Sequence, residues 1–226
     1  MNFCSHTLVR QGMPFISLVL RQVIPYANRC LITISEKSDS ETQKSIILLR
    51  KEFPGKIEVE FENVAKPGDL TFERQKQVAR TTEDWILFLD DDDYWPRSSI
   101  VKMLSLLDSG FDAFAINPFQ VIDQNSHDSS WRYRWFTKWL RNQPGLTYKG
   151  AWPKDLPYLN DKILFHRKNK MVKALPDIKF FHLSNIKNHS FRNEEWAKGF
   201  KKNIGGPIKI PDQFKKEMKR IYEAES

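Results

Sequence analysis

Apolar positions along the first ninety residues recur in two alternating rhythms. FCSHTLV (3–9) is a short apolar run rich in β-forming residues. MPFISLVLRQVIPYA (13–27) sets Phe15, Leu18, Val19, Gln22 and Val23 at helical spacing, which predicts an amphipathic helix with Pro14 in its first turn. RCLITIS (29–35) predicts a buried strand. SDSETQKSIILLRKEFPG (38–55) opens on capping residues, carries an apolar helical face and stops at Pro-Gly. IEVEFEN (57–63) alternates strictly and predicts a strand, and LTFERQKQVARTT (70–82) predicts a third helix. DWILFLD (84–90) is a strand almost without polar interruption, as expected of a central parallel strand covered on both faces.

The order β-α-β-α-β-α-β with short connections predicts an α/β fold: a mostly parallel sheet with helices on both sides. Ligands of such sheets bind beyond the carboxyl ends of the strands. Asp90–Asp93, the four consecutive aspartates of DWILFLDDDDYWP (84–96), lie at the carboxyl end of the fourth strand. Beyond Pro96, RSSIVKMLSLLDSG (97–110) predicts a helix ended by Gly110, and FDAFAINPFQVID (111–123) one or two strands. WRYRWFTKWLRN (131–142) interleaves basic and aromatic residues. It has two readings: a helix with its rings buried and its cations exposed, or aromatic platforms that stack on sugars or bases with Arg on phosphate. KFFHLSN (179–185) predicts a short strand, and HSFRNEEWAKGFKK (189–202) a lid or a solvated helix. With no internal repeat and no low-complexity linker, residues 1–226 are expected to form one domain, a regular half over 1–123 and a less regular half with a basic tail over 124–226.

Composition narrows the partners. Lys and Arg number 36 against 28 acidic residues, a formal net charge of +8. A basic body around a local acidic cluster suits an anionic partner: a nucleotide diphosphate, a nucleic acid or an anionic membrane surface. The two cysteines, Cys4 and Cys30, lack metal-ligand spacing and are too few for a disulfide framework. No apolar run approaches the ~20 residues that span a bilayer, and the N-terminal residues lack the apolar stretch of a signal peptide. The expected location is the cytoplasm, with peripheral contact to the inner face of a membrane left open.

Adjacent carboxylates disfavour one another's ionised form unless a cation compensates, and their oxygens suit Mg²⁺ or Mn²⁺. The plainer reading is an acidic turn that caps the helix after Pro96. At the end of an apolar strand, FLDDDDYWP resembles the Asp-x-Asp hallmark of the nucleotide-sugar glycosyltransferases of family 2, with Asp90-Asp91-Asp92 as the motif. ERQKQVARTTEDWILFLD is similar to the family's Arg-Asn-x-Gly…Ala-x-Gly-Asp segment, with Arg74 matching the arginine and Gln75 replacing the asparagine. LITISEKSDSET resembles its second strand and acidic turn, WLRNQPGLTYKG a downstream RN-x-PG-x-x-Y-x-G segment, and KFFHLSN the late strand whose histidine can complete a metal site. The resemblance spans roughly residues 3–192 and is tightest over 74–95.

The resemblance implies the GT-A fold, with residues 1–123 binding the nucleotide sugar and 124–226 the acceptor. It implies a metal-dependent, inverting transfer of a sugar from a nucleotide-diphosphate donor, UDP favoured, to the hydroxyl of a saccharide or glycolipid. Asp92 and His182 are its candidate metal ligands, although a packed histidine is the plain alternative for His182. Thr7, Arg10, Glu36, Asp39, Arg74, Asp90, Asp91 and Arg192 are its candidate donor contacts. For Asp39 a helix cap is equally open, and the usual first aspartate of that turn is missing. The family's His-Glu is absent from GAWPKDLP (150–157), which leaves Asp155, Asp93 and Asp161 as candidates for the general base. Three other activities stay open: glycosyl transfer to nucleic acid such as a modified DNA base, nucleotidyl transfer, and nucleic-acid binding without catalysis.

Overall fold

The alternation read from the first ninety residues is built as β1 (Phe3–Val9), α1 (Ile16–Val23), β2 (Arg29–Ser35), α2 (Ser40–Glu52), β3 (Ile57–Glu62), α3 (Pro67–Arg80) and β4 (Trp85–Phe88). The structure, a computed structural model, describes residues 1–10, 12, 15–63, 67–121, 126–128, 135–150, 156–165, 168–183 and 204–207. Of α1, Ile16, Leu18, Val19, Leu20, Gln22 and Val23 are all buried. The helix is therefore covered beyond its predicted face, because α2 and α4 pack on it as well as the sheet side. The Pro-Gly stop after α2 works through Gly55, whose φ of +77° is open to glycine without strain.

Beyond β4 come β5 (Asp93–Tyr94), α4 (Arg97–Leu104), β6 (Ala113–Ile116), β7 (Phe119–Gln120), β8 (Ser126–Asp128), β9 (Phe136–Arg141), β10 (Leu146–Lys149), β11 (Leu156–Leu159), β12 (Lys162–Ile163), β13 (Val172–Leu175), β14 (Phe181–His182) and β15 (Ile204–Pro207). Seven strands form the main sheet in the order β13-β6-β9-β4-β1-β2-β3. β1 is parallel to β2 and β4, β2 to β3, and β6 to β13, while β9 alone runs antiparallel between β4 and β6. The carboxyl ends of β1, β2, β4 and β6 thus share one edge, and the chain leaves β4 there as Asp90.

Three expectations change. The helical reading of 131–142 is corrected over its described part, since residues 136–141 are the strand β9. Its neighbours β4 and β6 cover both its edges, and Lys138, Trp139 and Leu140 are all buried, so no period-2 alternation survives in the sequence to announce a strand. The helix expected over 97–110 ends at Leu104 and continues as turns to Gly110. The strand expected over 179–185 is regular only at Phe181–His182.

The core lies on both faces of the sheet. One side gathers Phe3, Phe15, Trp85, Trp95, Trp139 and Phe180, and the side under α3 gathers Val78, Ile86, Phe88, Leu140 and Leu146. Trp95 stacks on Phe180 with ring centroids 5.1 Å apart and planes 10° from parallel. Two buried aromatic side chains in such contact are worth several kcal/mol of burial plus about 1 kcal/mol of ring geometry. That contact clamps the segment before β14 against the turn that follows β4.

Candidate active site

The aspartate turn is shaped by its backbone. Leu89 N–H donates to the His6 carbonyl at 3.0 Å, extending the β4–β1 ladder by one residue, and Asp93 N–H closes the turn on the Asp90 carbonyl at 3.1 Å. Asp92 is buried, and Asp93 is 0% exposed. β14 returns antiparallel to β5 and pairs His182 with Asp93 and Phe181 with Tyr94, while Leu183 N–H donates to the Asp92 carbonyl at 2.9 Å. The same register sets His182 Nδ1 2.8 Å from Asp93 Oδ1 and 3.4 Å from Asp92 Oδ1. One ligand atom from each of Asp92, Asp93 and His182 falls within 4.8 Å of the others. Strand pairing thereby joins residues 89 positions apart.

Two cations enter from other elements. Arg74, on α3, reaches Asp90 Oδ1 with Nη2 at 3.0 Å, and its guanidinium lies 5.3 Å from the centre of the Phe88 ring and 5.9 Å from that of Tyr148. Lys138, on β9, sets Nζ 2.6 Å from Asp90 Oδ2 and 2.5 Å from Asp93 Oδ2. Burial would push the Asp90 carboxyl up, but Lys138 and then Arg74 outweigh it and hold the group well below the usual carboxylate range. Burial would push Lys138 down, but Asp90 and Asp93 hold it above the usual lysine value. For His182 burial acts downward, yet Asp92 and Asp93 together push the imidazole up to about 9. Protonated, His182 is a third cation in the cluster. To ligate a metal it would have to give that proton up.

The donor set fits a divalent ion: the Asp92 carboxylate offers hard oxygens, and the His182 imidazole is held by a second carboxylate, Asp93, as ligating histidines usually are. Asp93 was a candidate general base. It lies fully buried with its two oxygens against His182 and Lys138, which suits it to orient His182 and not to meet an acceptor hydroxyl. Asp91 sits partly buried in the turn between Asp90 and Asp92.

The remaining candidates divide by position. Arg10 and Glu36 are exposed at the shared carboxyl edge, just past β1 and β2. Ser38 Oγ ties these ends together by donating to the Arg10 carbonyl at 2.7 Å. Thr7 lies inside β1, fully buried, level with Leu89 at the end of β4 in the β1–β4 register. Asp39 caps α2. Its Oδ1 accepts from Thr42 N–H at 2.7 Å and its Oδ2 from the Thr42 hydroxyl at 2.7 Å, so the capping alternative is what the geometry supports. Asp161 pairs with Lys149 at 2.6 Å on an exposed hairpin. Asp155 and Arg192, and the lid or helix expected over 189–202, lie outside the described residues.

Sequence reasoning missed Lys138, hidden in the basic-aromatic run. It also missed the role of Gln75, whose Oε1 accepts from Tyr148 N–H at 2.9 Å and ties α3 to β10. The RNQPG stretch is held by Gly145, at φ +87°, where a Cβ would come within 2.1 Å of Asn160 Oδ1.

The profile of glycosyl transferase family 2 matches residues 19–170. The chain belongs to that family. Among solved structures it is similar to S. aureus TarS 1-349, with TM-score 0.55 and 15% identity over 80% of this chain and 60% of that one. The same TarS fragment in complex with UDP gives TM-score 0.53 and 14% identity over the same shares. A mannosyltransferase from Pyrobaculum calidifontis, PcManGT, in complex with GDP-Man and Mn²⁺, gives 0.52 and 12% over 80% of this chain and 56% of that one. These likenesses establish the fold as GT-A. The chain spans under two thirds of the length of each of these relatives. No curated protein sequence matches it. Among the described residues no helix is long and apolar enough to cross a membrane.

Proposed function

We propose that the chain is a divalent-metal-dependent glycosyltransferase that moves a sugar, with inversion, from a nucleotide-diphosphate donor to an acceptor hydroxyl. The observation that carries this reading is the convergence of Asp92, Asp93 and His182 at the carboxyl edge of the parallel strands, in a chain of this family. A divalent ion bound there supplies neutralisation of the diphosphate leaving group. Asp92 and His182 would hold it, and Asp93 fixes the imidazole through the 2.8 Å contact. The carboxylates favour Mg²⁺ or Mn²⁺ and the imidazole favours a transition ion, so Mn²⁺ is the preferred metal. Asp90, part-exposed between Arg74 and Lys138, faces the nucleotide, and Arg10 and Glu36 stand at the base end.

TarS is named with UDP and PcManGT with GDP-Man and Mn²⁺. UDP is the favoured nucleotide here, and a saccharide or glycolipid the favoured acceptor, reached in the cytoplasm or at its membrane face. The general base comes from the acceptor half, with Asp155 as the candidate. A nucleic-acid acceptor is the second reading, supported by the net charge of +8. It predicts binding to duplex DNA that weakens steeply with salt.

A thermal-shift panel of UDP, GDP and their sugars, with and without Mn²⁺, tests the main reading. A nucleotide that raises Tm only with Mn²⁺ is expected, and Asp92→Asn removes the shift. No shift with any nucleotide overturns it.

A further inference from the structure

The sequence pattern led to the aspartates and left their counter-charge to a ligand. The folded chain supplies much of it. Each oxygen of Asp90 and Asp93 meets a nitrogen of the chain: Arg74 on Asp90 Oδ1, Lys138 on Asp90 Oδ2 and Asp93 Oδ2, and His182 on Asp93 Oδ1. Lys138 is the common member. Its side chain is 7% exposed, it stems from the one antiparallel strand of the main sheet, and its Nζ lies over the Phe180 ring, 5.3 Å from the ring centre. A lysine so enclosed cannot leave the cluster without burying an unpaired charge elsewhere or opening the sheet.

We propose that Lys138 is the fixed internal counter-ion of the aspartate cluster: it occupies Asp90 and Asp93 and thereby sets how strongly the cluster takes a divalent cation. A metal held by Asp92 and His182 would sit beside Asp93, whose Oδ1 is on His182 and whose Oδ2 is already on the Lys138 ammonium. Like charges repel across a site with little water to screen them, so Lys138 holds the affinity for bare metal down. An arriving diphosphate adds negative charge and offsets that repulsion, which makes the ion and the nucleotide bind as a pair. Lys138 is a positioning residue in this scheme. It acts through Asp90 and Asp93, and its consequence for turnover rests on the glycosyltransferase reading given above.

The test is Lys138→Met, with Mn²⁺ alone as the probe and no nucleotide present. The electron-spin resonance of free Mn²⁺ gives the dissociation constant, and urea unfolding gives the metal-free stability. The expected result is opposite in sign for the two: Mn²⁺ binds tenfold or more tightly to the variant than to the unsubstituted chain, while the metal-free variant unfolds at lower urea. A lysine that merely braced the fold would weaken metal binding along with stability. Equal or weaker Mn²⁺ binding by Lys138→Met overturns the proposal. Should that variant not fold, Asp90→Asn is compared with Asp90→Asn/Lys138→Met, in which the lysine leaves together with one of its carboxylates; the same tightening supports the proposal and its absence overturns it. Failure of UDP or GDP to bind would overturn the functional reading and leave the Mn²⁺ comparison standing.

Discussion

Helix α3 carries charges to two networks of ion pairs. On one side Arg74 joins Asp90, Lys138, Asp93 and His182 at the carboxyl edge of the sheet. On the other, Arg80 pairs with Glu58 at 2.7 Å and with Glu60, Lys76 with Glu62 at 2.8 Å, and Arg29 with Glu58 at 3.1 Å and Glu83 at 3.0 Å. The second network is partly exposed over β3, with the Arg80 side chain 35% and the Glu58 side chain 42% exposed, and reaches inward only at Glu83, 9% exposed. The first is deeper, with Asp93 at 0%, Lys138 at 7% and Arg74 at 12%, while Asp90 opens to solvent at 35%. Exposure decides what each can do. Solvent and salt screen the outer pairs, which stabilise α3 against β2 and β3 only weakly. In the inner cluster every charge is felt by its neighbours, so affinity for a cation can be set there.

The largest consequence falls on Asp93. Asp93→Asn keeps the shape, removes one of the two carboxylates of Lys138 and loosens His182. Removing one partner of a buried pair costs about 3–5 kcal/mol. Urea unfolding at constant m-value should show a loss near the lower end, because Asp90 still holds the lysine. A loss no greater than for an outer pair would break the comparison.

His6 sits between the networks and sharpens it. Its imidazole is fully buried. The Thr81 hydroxyl donates to the Gln77 carbonyl at 2.8 Å, so it accepts from His6 Nε2 at 2.6 Å, which places the proton on Nε2. Burial, followed by Arg74, Arg29 and Arg80 from the two networks, lowers its pKa to about 3. The folded value lies below the unfolded value of about 6.5. Between those values the unfolded chain therefore binds a proton that the folded chain does not, and stability falls as pH falls. The slope is about 1.4 kcal/mol per pH unit from pH ~6.5 downward. Unfolding midpoints measured from pH 7 to 4.5 should show it, and His6→Gln should flatten it.

What the sequence could show divides along the same line. The elements from β1 to β4 and the start of α4 were legible, because short turns there separate apolar runs from helical periods; β5, two residues long after the aspartate turn, was not. Asp92 was legible from its place after an apolar strand, and the cap at Asp39 from its spacing to Thr42. Lys138 was not, since basic and aromatic residues are interleaved through 131–142, so β9 shows neither the unbroken apolar run of β4 nor a period-2 alternation. The meeting of His182 with Asp93 is a matter of register between β5 and β14, which no local pattern encodes; the aromatic-flanked histidine in FFHLSN was the only signal.

The smallest effect is expected from Arg80→Ala. Its guanidinium bridges Glu58 and Glu60 on the edge strand β3, and Arg29 remains on Glu58 after the change, so no carboxylate is stranded in a dry site. The loss should stay below about 1 kcal/mol. It should shrink further between low and high salt, because charges this exposed are screened over about 8–10 Å at physiological ionic strength. The Asp93→Asn loss, out of reach of those ions, should change little across the same range. Measuring both variants at the two salt concentrations therefore asks one question of each network. A salt-sensitive Asp93→Asn, or a salt-insensitive Arg80→Ala, would mean that burial is not what separates them.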